Sequence, residues 1–371
     1  MTRICHLASN HEGLDTRIAL KECTSLAEAG YETHLVITAS ADDVRSAAAR
    51  GFQVHALPPD SGRLARMLKH AWRCYRTASR IGASVYHFHD PELIPYGVLL
   101  RLSGRRVIYD IHEDYPRDIL DKYWLPGWTR KLVAGAVAAL EYAGARWFFR
   151  VAAATPLIWK RFHDINPSAV NINNYPWPSE LAPAEAGRGR ERKPQVCYVG
   201  NITRVRGLRP IVEALPQVPQ VDFVLCGDFS EPGFEDELRG LPGWAQVRFL
   251  GKVDRAQARQ VMAESIAGLV TFLPIPSHLD AQPNKLFEYM SAELPVIASD
   301  FPLWREIVAD TGAGICVDPE SPDAIAAAIR DLLRDESVVK RMGDAGRQAV
   351  LSTYNWPAEA AKLVRFYKEL A

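Results

Sequence analysis

Long apolar runs are missing from this sequence. No stretch of ~20 apolar residues occurs, so no helix is expected to cross a bilayer. Paired cysteines are missing too. The six cysteines are Cys5, Cys23, Cys74, Cys197, Cys226 and Cys316, none at Cys-x-x-Cys spacing. Most sit in apolar patterns, which argues for buried, reduced thiols and against a disulfide framework. There is no excess of charge: 44 basic residues face 44 acidic ones. That balance gives no support to wholesale nucleic-acid binding and leaves affinity for anionic surfaces to local patches. The opening Met-Thr-Arg-Ile-Cys-His-Leu-Ala reads as a strand rather than a signal peptide, and a cytoplasmic location is expected. The loop Ser9–Arg17 holds only Gly13, so no Gly-x-Gly-x-x-Gly follows the first strand, which weakens a dinucleotide-oxidoreductase reading. Asp15-Thr16-Arg17 reads instead as a helix cap.

What is present is an ordinary globular composition, 48% hydrophobic and 24% charged over 371 residues. At ~100–200 residues per domain, two domains are expected. Strand-like runs at 3–8, 33–37, 85–88 and 107–111 alternate with helical patterns at 16–29 and 63–81. A second series has strands at 195–199, 222–226, 247–250, 268–272, 295–298 and 314–317. Such alternation predicts an α/β fold of parallel sheets with helices on both faces. Between the series, 177–194 combines prolines with the run Gly-Arg-Gly-Arg-Glu-Arg-Lys and reads as a linker.

The most informative stretch is Asp280-Ala-Gln-Pro-Asn-Lys-Leu-Phe-Glu-Tyr-Met-Ser-Ala-Glu-Leu-Pro-Val-Ile-Ala-Ser299. It reads as a loop, a short helix and a buried strand. Pro283 suits a first helical turn, and Gln282 and Asn284 are candidate caps. A helix starting here aims backbone donors at an anion. Lys285 adds a cation, while Asp280 and Glu288 offer carboxylates. The combination suits a ligand with both phosphates and hydroxyls, such as a sugar nucleotide. The alternative is a capped amphipathic helix with ordinary surface charges.

These residues resemble the donor-site signature of retaining glycosyltransferases of the GT-B fold, family 4. The family pattern is Glu-x7-Glu followed by a Gly-Pro-Val-Ile-Ala-Ser-like strand. Here the acids are Asp280 and Glu288, the strand is Pro295–Ser299, and Leu294 is matched to the family glycine. The resemblance implies two Rossmann-like domains facing each other across a cleft. One comprises 1–176 with a returning helix from 355–371, and the other 195–354. It implies a nucleoside-diphosphate sugar as donor, a glycan or lipid-linked hydroxyl as acceptor, and no cofactor or metal. Tyr198-Val-Gly-Asn-Ile-Thr-Arg-Val-Arg-Gly-Leu matches the family's phosphate turn. Gly200, Asn201 and Arg204 would bind the donor, with Arg206 and Lys285 neutralising the diphosphate. Glu288 would bind the ribose hydroxyls, Asp280 the transferred sugar, and Leu286 and Phe287 would complete the donor site. The departing phosphate oxygen would take the acceptor proton, so no dedicated base is named. A nucleotide-sugar epimerase or hydrolase and a non-catalytic binding subunit stay open as alternatives.

Two further strands end in polar clusters: His87, His89, Asp90 and Glu92, then His112, Glu113 and Asp114. Ligands bind at the carboxyl ends of parallel strands. A His/Asp metal site is one reading. The resemblance instead places His112 near the transferred sugar. On this acceptor side His87 and His89 read as organising the loop by hydrogen bonds, and Glu113 and Asp114 either as orienting the acceptor hydroxyl or as turn acids. Aromatics and cations mix in 122–133 and 146–150, with Trp124 and Trp128 among them. They read either as peripheral contact with the inner face of the cell membrane or as packed helices.

Overall fold

The computed structural model describes residues 1–59, 66–121, 126–147, 149–181 and 192–370. The chain forms two compact units, Met1–Asn174 with Trp356–Ala371, and Tyr175–Asn355.

In the first unit, the described residues form a parallel sheet of seven strands. These are β1 (Arg3–Glu12), β2 (Glu32–Thr38), β3 (Gln53–Leu57), β4 (Val85–Phe88), β5 (Arg106–Ile111), β6 (Arg150–Ala153) and β7 (Val170–Asn171). Their order is β3-β2-β1-β4-β5-β6-β7. The order reverses between β1 and β4, which opens a crevice at their carboxyl ends. Five helices matter below: α1 (a π-helical Ile18–Cys23 running into Thr24–Glu28), α2 (Ala41–Ala49), α3 (Ala71–Ile81), α4 (Ile94–Leu102) and α5 (Gly127–Trp147). Sequence periodicity passed over α2, β3, β6 and β7. β3, β6 and β7 are short, and α2 is dominated by small and charged residues.

The second unit repeats the architecture. Its strands are β8 (Gln195–Val199), β9 (Asp222–Cys226), β10 (Val247–Gly251), β11 (Ala267–Val270), β12 (Val296–Ser299) and β13 (Gly314–Val317). The order β10-β9-β8-β11-β12-β13 puts a second switch point between β8 and β11. The helix α6 (Asn284–Ser291) precedes β12 and packs on α7 (Glu336–Ser352). The ends of the expected linker belong to this unit. Leu181 is buried in its core, and Arg192 donates to the carbonyls of Ser265 and Glu293 at 2.6 and 2.7 Å. Residues 182–191, which hold all of the charged run but Arg192 and Lys193, lie outside the described residues.

The last helix, α8 (Trp356–Lys368), belongs to the first unit. Trp356 Nε1 donates to Ser25 Oγ at 2.9 Å, and Glu359 accepts the Asn173 backbone N–H at 3.0 Å. All six cysteines are free thiols, five of them buried.

Candidate active site

Period-two alternation explains the polar cluster of the first unit. In β1, Cys5 and Leu7 face one apolar core; in β4, Tyr86 and Phe88 do; in β5, Tyr109 and Ile111 do. The residues between them, His6, His87 and Asp110, therefore share the opposite face. His6 and His87 are direct register partners. His89 and His112 continue the same parity just beyond their strands. Arg17 and Glu22 of α1 and Tyr367 of α8 bring further polar groups to this face.

The polar groups form one connected network. Asp110 accepts two hydrogen bonds from Arg17, at 3.1 and 2.9 Å, and one from His112 Nε2 at 3.0 Å. His89 Nδ1 is 3.3 Å from the same carboxylate. A single set of neutral tautomers connects the rest, with His87 Nε2 left buried without a hydrogen-bond partner. With His89 Nδ1 donating to Asp110, its Nε2 accepts from His6 Nδ1 at 3.0 Å. His6 Nε2 then accepts from the Tyr367 hydroxyl at 3.2 Å, and that hydroxyl accepts from His87 Nδ1 at 2.7 Å. Each side chain of the chain is fully buried or nearly so. Burial, with neighbouring histidine charge, holds His6 and His87 well below the usual imidazole range, and burial lowers His89 to about 4. Burial also works against the charge of Asp110, but Arg17 and the imidazole donors hold its pKa well below the usual carboxylate range. Burial and the adjacent Asp110 charge push the Glu22 pKa the other way, well above the usual carboxylate range. Glu22 Oε1 lies 3.0 Å from Arg17 Nε, but that N–H is directed at Asp110.

At the crevice, Asp90 accepts the backbone N–H groups of Ser9 and Asn10 at 2.6 and 3.0 Å. Asp15 accepts those of Arg17 and Ile18, both at 2.9 Å, as a cap for α1. His11 bridges Asp15 and Asp90, at 3.2 and 3.5 Å, and its ring meets that of His112 edge-on. Burial disfavours the His11 charge, yet the Asp15 hydrogen bond and the Asp90 charge raise its pKa to about 9. His11 is therefore an imidazolium at neutral pH.

The acceptor-side expectations divide. His112 is part-exposed at the crevice, and Glu113 is exposed beside it. His89 is fully buried, so its part is to hold His112 rather than to meet a ligand. Asp114 is engaged by Arg161 at 3.0 Å and Arg117 at 3.5 Å. Alternation in three strands was the signal that could have found His6 and Asp110. Arg17, Glu22 and Tyr367 reach this face from helices distant in sequence.

In the second unit, the turn after β8 and the start of α6 come together. Gly200 has φ +142°, and a Cβ built there would lie 2.4 Å from both Cε and Nζ of Lys285. Glycine at this position is what lets the lysine lie against the turn. Lys285 Nζ sits 5.4 Å from the Tyr198 ring centroid. Desolvation, then the charge of Arg206, lowers the Lys285 pKa to about 8, with Glu288 acting in the opposite direction. The Arg206 guanidinium stacks 4.3 Å from the centroid of Phe272, just beyond β11. Glu288 accepts from Arg255 at 3.2 Å and stays part-exposed.

The remaining donor-side expectations need adjustment. Arg204 is tied to Glu231 and Glu237 and stacks on Phe234. Asn201 is exposed, its Oδ1 in contact with Ser230. The side chains of Leu286 and Phe287 are buried in the core, Phe287 against Tyr175, so only their backbone can serve a ligand. Asp280 closes a one-turn helix, Pro276–Leu279, in the loop that Trp304 pins by donating to the Ala281 carbonyl at 2.7 Å. Pro283 is the N-cap of α6 rather than its first residue. No side-chain cap forms, and Gln282 Oε1 is buried without a partner. The left-handed backbone expected of a glycine falls at Glu293, φ 57°, and not at Leu294.

The sequence carries two recognisable domain profiles. Residues 16–176 match the glycosyl transferase 4-like domain, and residues 184–349 match glycosyl transferases group 1. With the two Rossmann-like sheets, they define the chain as a glycosyltransferase of the GT-B fold. It belongs to the glycosyl transferases group 1 family. It is similar to the phosphatidyl-myo-inositol mannosyltransferase of Mycobacterium leprae, 27% identical over 305 residues, covering 77% of this chain and 74% of that one. Among solved structures it superposes on sucrose-phosphate synthase from Thermosynechococcus elongatus with a TM-score of 0.79 at 18% identity, covering 100% of this chain and 99% of that one. HepE of Anabaena, in complex with UDP-glucose, gives a TM-score of 0.74 at 16% identity, covering 100% of each chain. At these identities the structures establish the fold alone.

Proposed function

We propose that this enzyme transfers a sugar, with retention of configuration, from a nucleoside diphosphate to a hydroxyl of a lipid-linked oligosaccharide or cell-surface polysaccharide. The observation that carries the reading is the packing of Lys285 on Gly200 beside Arg206, with Glu288 one helical turn on. Two cations at a glycine turn suit a departing diphosphate, whose charge they stabilise as it develops. Glu288 suits a pair of ribose hydroxyls, and Asp280 the hydroxyls of the transferred sugar. A UDP-sugar is favoured as donor, in line with the UDP-glucose complex of HepE. A lipid-linked acceptor accords with the name of the mycobacterial relative.

On the first unit, His112 would face the sugar with its Nδ1, because Nε2 donates to Asp110. The departing phosphate oxygen takes the acceptor proton, so no side chain is assigned as base. A metal-free reaction is part of the proposal. Nitrogen and carboxylate atoms of His6, Glu22, His87 and His89 do lie within 4.8 Å of one another, a spacing open to a metal. However, both nitrogens of His6 and of His89 are already spent on hydrogen bonds within the chain. Peripheral contact with the inner face of the membrane, through α5, completes the reading. No described helix is long and apolar enough to cross a membrane.

Incubation with a UDP-sugar, with and without a hydroxyl acceptor, followed by NMR of the product anomer, tests this. Acceptor-dependent product with the donor's anomeric configuration is expected. An inverted product, or donor consumption that ignores the acceptor, would refute it.

A further inference from the structure

The amino ends of β5 and β6 lie at the opposite end of the first unit's sheet from His112. Six residues of strand separate Arg106 from His112, or roughly 20 Å. A pocket of about 700 Å³ opens there. Its lining includes Arg101 at the end of α4, Arg106 at the start of β5, Arg146 at the end of α5 and Arg150 at the start of β6. Among the described residues, four arginines and one acidic side chain, Glu369, line it. Glu369 is 3.3 Å from Arg150, whose Nε is buried without a hydrogen-bond partner. Such a concentration of planar donors matches phosphate geometry.

The pocket's mouth meets an unusual helix. α5 buries its one carboxylate: Glu141 is fully buried, accepting from Tyr109 at 2.9 Å and from Arg161 at 2.6 Å. Its outward face carries Trp128 (75% exposed), Leu132 (69%), Leu140 (50%) and Trp147 (66%). At an α-helix's 100° step these fall in one stripe of roughly 120°. Trp147 and Arg146 both line the pocket, so the apolar stripe runs directly into the arginine cluster. An apolar stripe ending in cations fits an amphiphile whose charged end is anionic.

We infer that this pocket seats the phosphate of an anionic phospholipid headgroup while the α5 stripe enters the acyl boundary. The inference rests on the peripheral contact proposed above and names the ligand that makes it. It requires neither donor nor acceptor, so it is tested separately from glycosyl transfer.

Co-sedimentation of the full chain with phosphatidylcholine vesicles, with and without phosphatidylglycerol, provides the test. Binding is expected only with phosphatidylglycerol, and Arg101→Ala/Arg106→Ala should weaken it roughly 25-fold, at about a factor of five per arginine. Arg76→Ala/Arg80→Ala removes the same charge from exposed positions of α3 and should change binding less than about threefold. Equal weakening by both pairs would overturn the pocket. So would full binding by the Arg101/Arg106 variant with its fold confirmed by circular dichroism. Inorganic phosphate, read by thermal shift, separates the sources. Stabilisation by phosphate without any vesicle binding would overturn the lipid assignment in favour of a soluble phosphate compound.

Discussion

Asp110 Oδ2 lies 3.0 Å from His112 Nε2, and Arg17 clamps the same carboxylate from behind with two further donors. The carboxylate therefore sets which imidazole nitrogen carries the proton, leaving Nδ1 for a ligand.

Asp110→Asn keeps the shape but presents an amide where His112 needs an acceptor. The expected result is a fall in kcat of about 100-fold with the donor KM little changed. Stability should also fall, by about 3 kcal/mol, because Arg17 loses its buried counter-charge. Steady-state kinetics beside denaturant unfolding would check both. A stability loss with kcat intact would reduce Asp110 to a purely structural group.

The buried histidines predict acid sensitivity. His89 titrates at about 4 in the folded chain and near 6.5 when unfolded. Between those values the unfolded chain binds more protons, so stability rises with pH. The contribution is complete above about pH 6.5 and is lost progressively as pH falls towards 4. His89 alone should remove about 2 kcal/mol on going from pH 6.5 to 5, and His6 and His87 add to it. Urea unfolding at several pH values measures this, and equal midpoints across that window would contradict the neutral chain.

Glu293 holds a left-handed backbone after α6, where its N–H bonds the Met290 carbonyl at 3.2 Å. Glu293→Gly should relieve roughly 1 kcal/mol of backbone strain. A raised unfolding midpoint with unchanged denaturant slope is the expected signature.

Lys285 and His11 carry charge below about 8 and 9, respectively. Anion binding that uses either cation weakens as pH rises through its pKa, and a bound diphosphate moves that fall upward. Affinity for a nucleoside diphosphate should therefore be flat below about pH 7 and decline above about 8. In Lys285→Ala the step belonging to the lysine should vanish.

Much of this was legible in the chain. Alternation gave two parallel sheets, and the stretch Asp280–Ser299 with Gly200 supplied the residues on which the proposed donor side rests, because each is a local pattern read over a few residues. The Gly200–Lys285 contact was not legible, since 85 residues separate the two and only the β8/β11 switch point joins them. Leu286 and Phe287 were misread because a donor motif on a helix still buries one face of that helix. The network behind His112 was missed for a different reason. His6, His87 and Asp110 each look like a lone polar residue in an apolar strand, and only strand register makes them one cluster.

The central claim is that the second unit holds a nucleoside diphosphate through Lys285, Arg206 and Glu288. Isothermal titration of UDP, GDP, dTDP and CMP into the wild-type chain, Lys285→Ala, Glu288→Gln and Gly200→Ala tests it directly. The account predicts saturable binding of one diphosphate, weakened at least about tenfold by each substitution, with Gly200→Ala acting by displacing the lysine. Absence of diphosphate binding, or binding that all three variants retain at full strength, would contradict it.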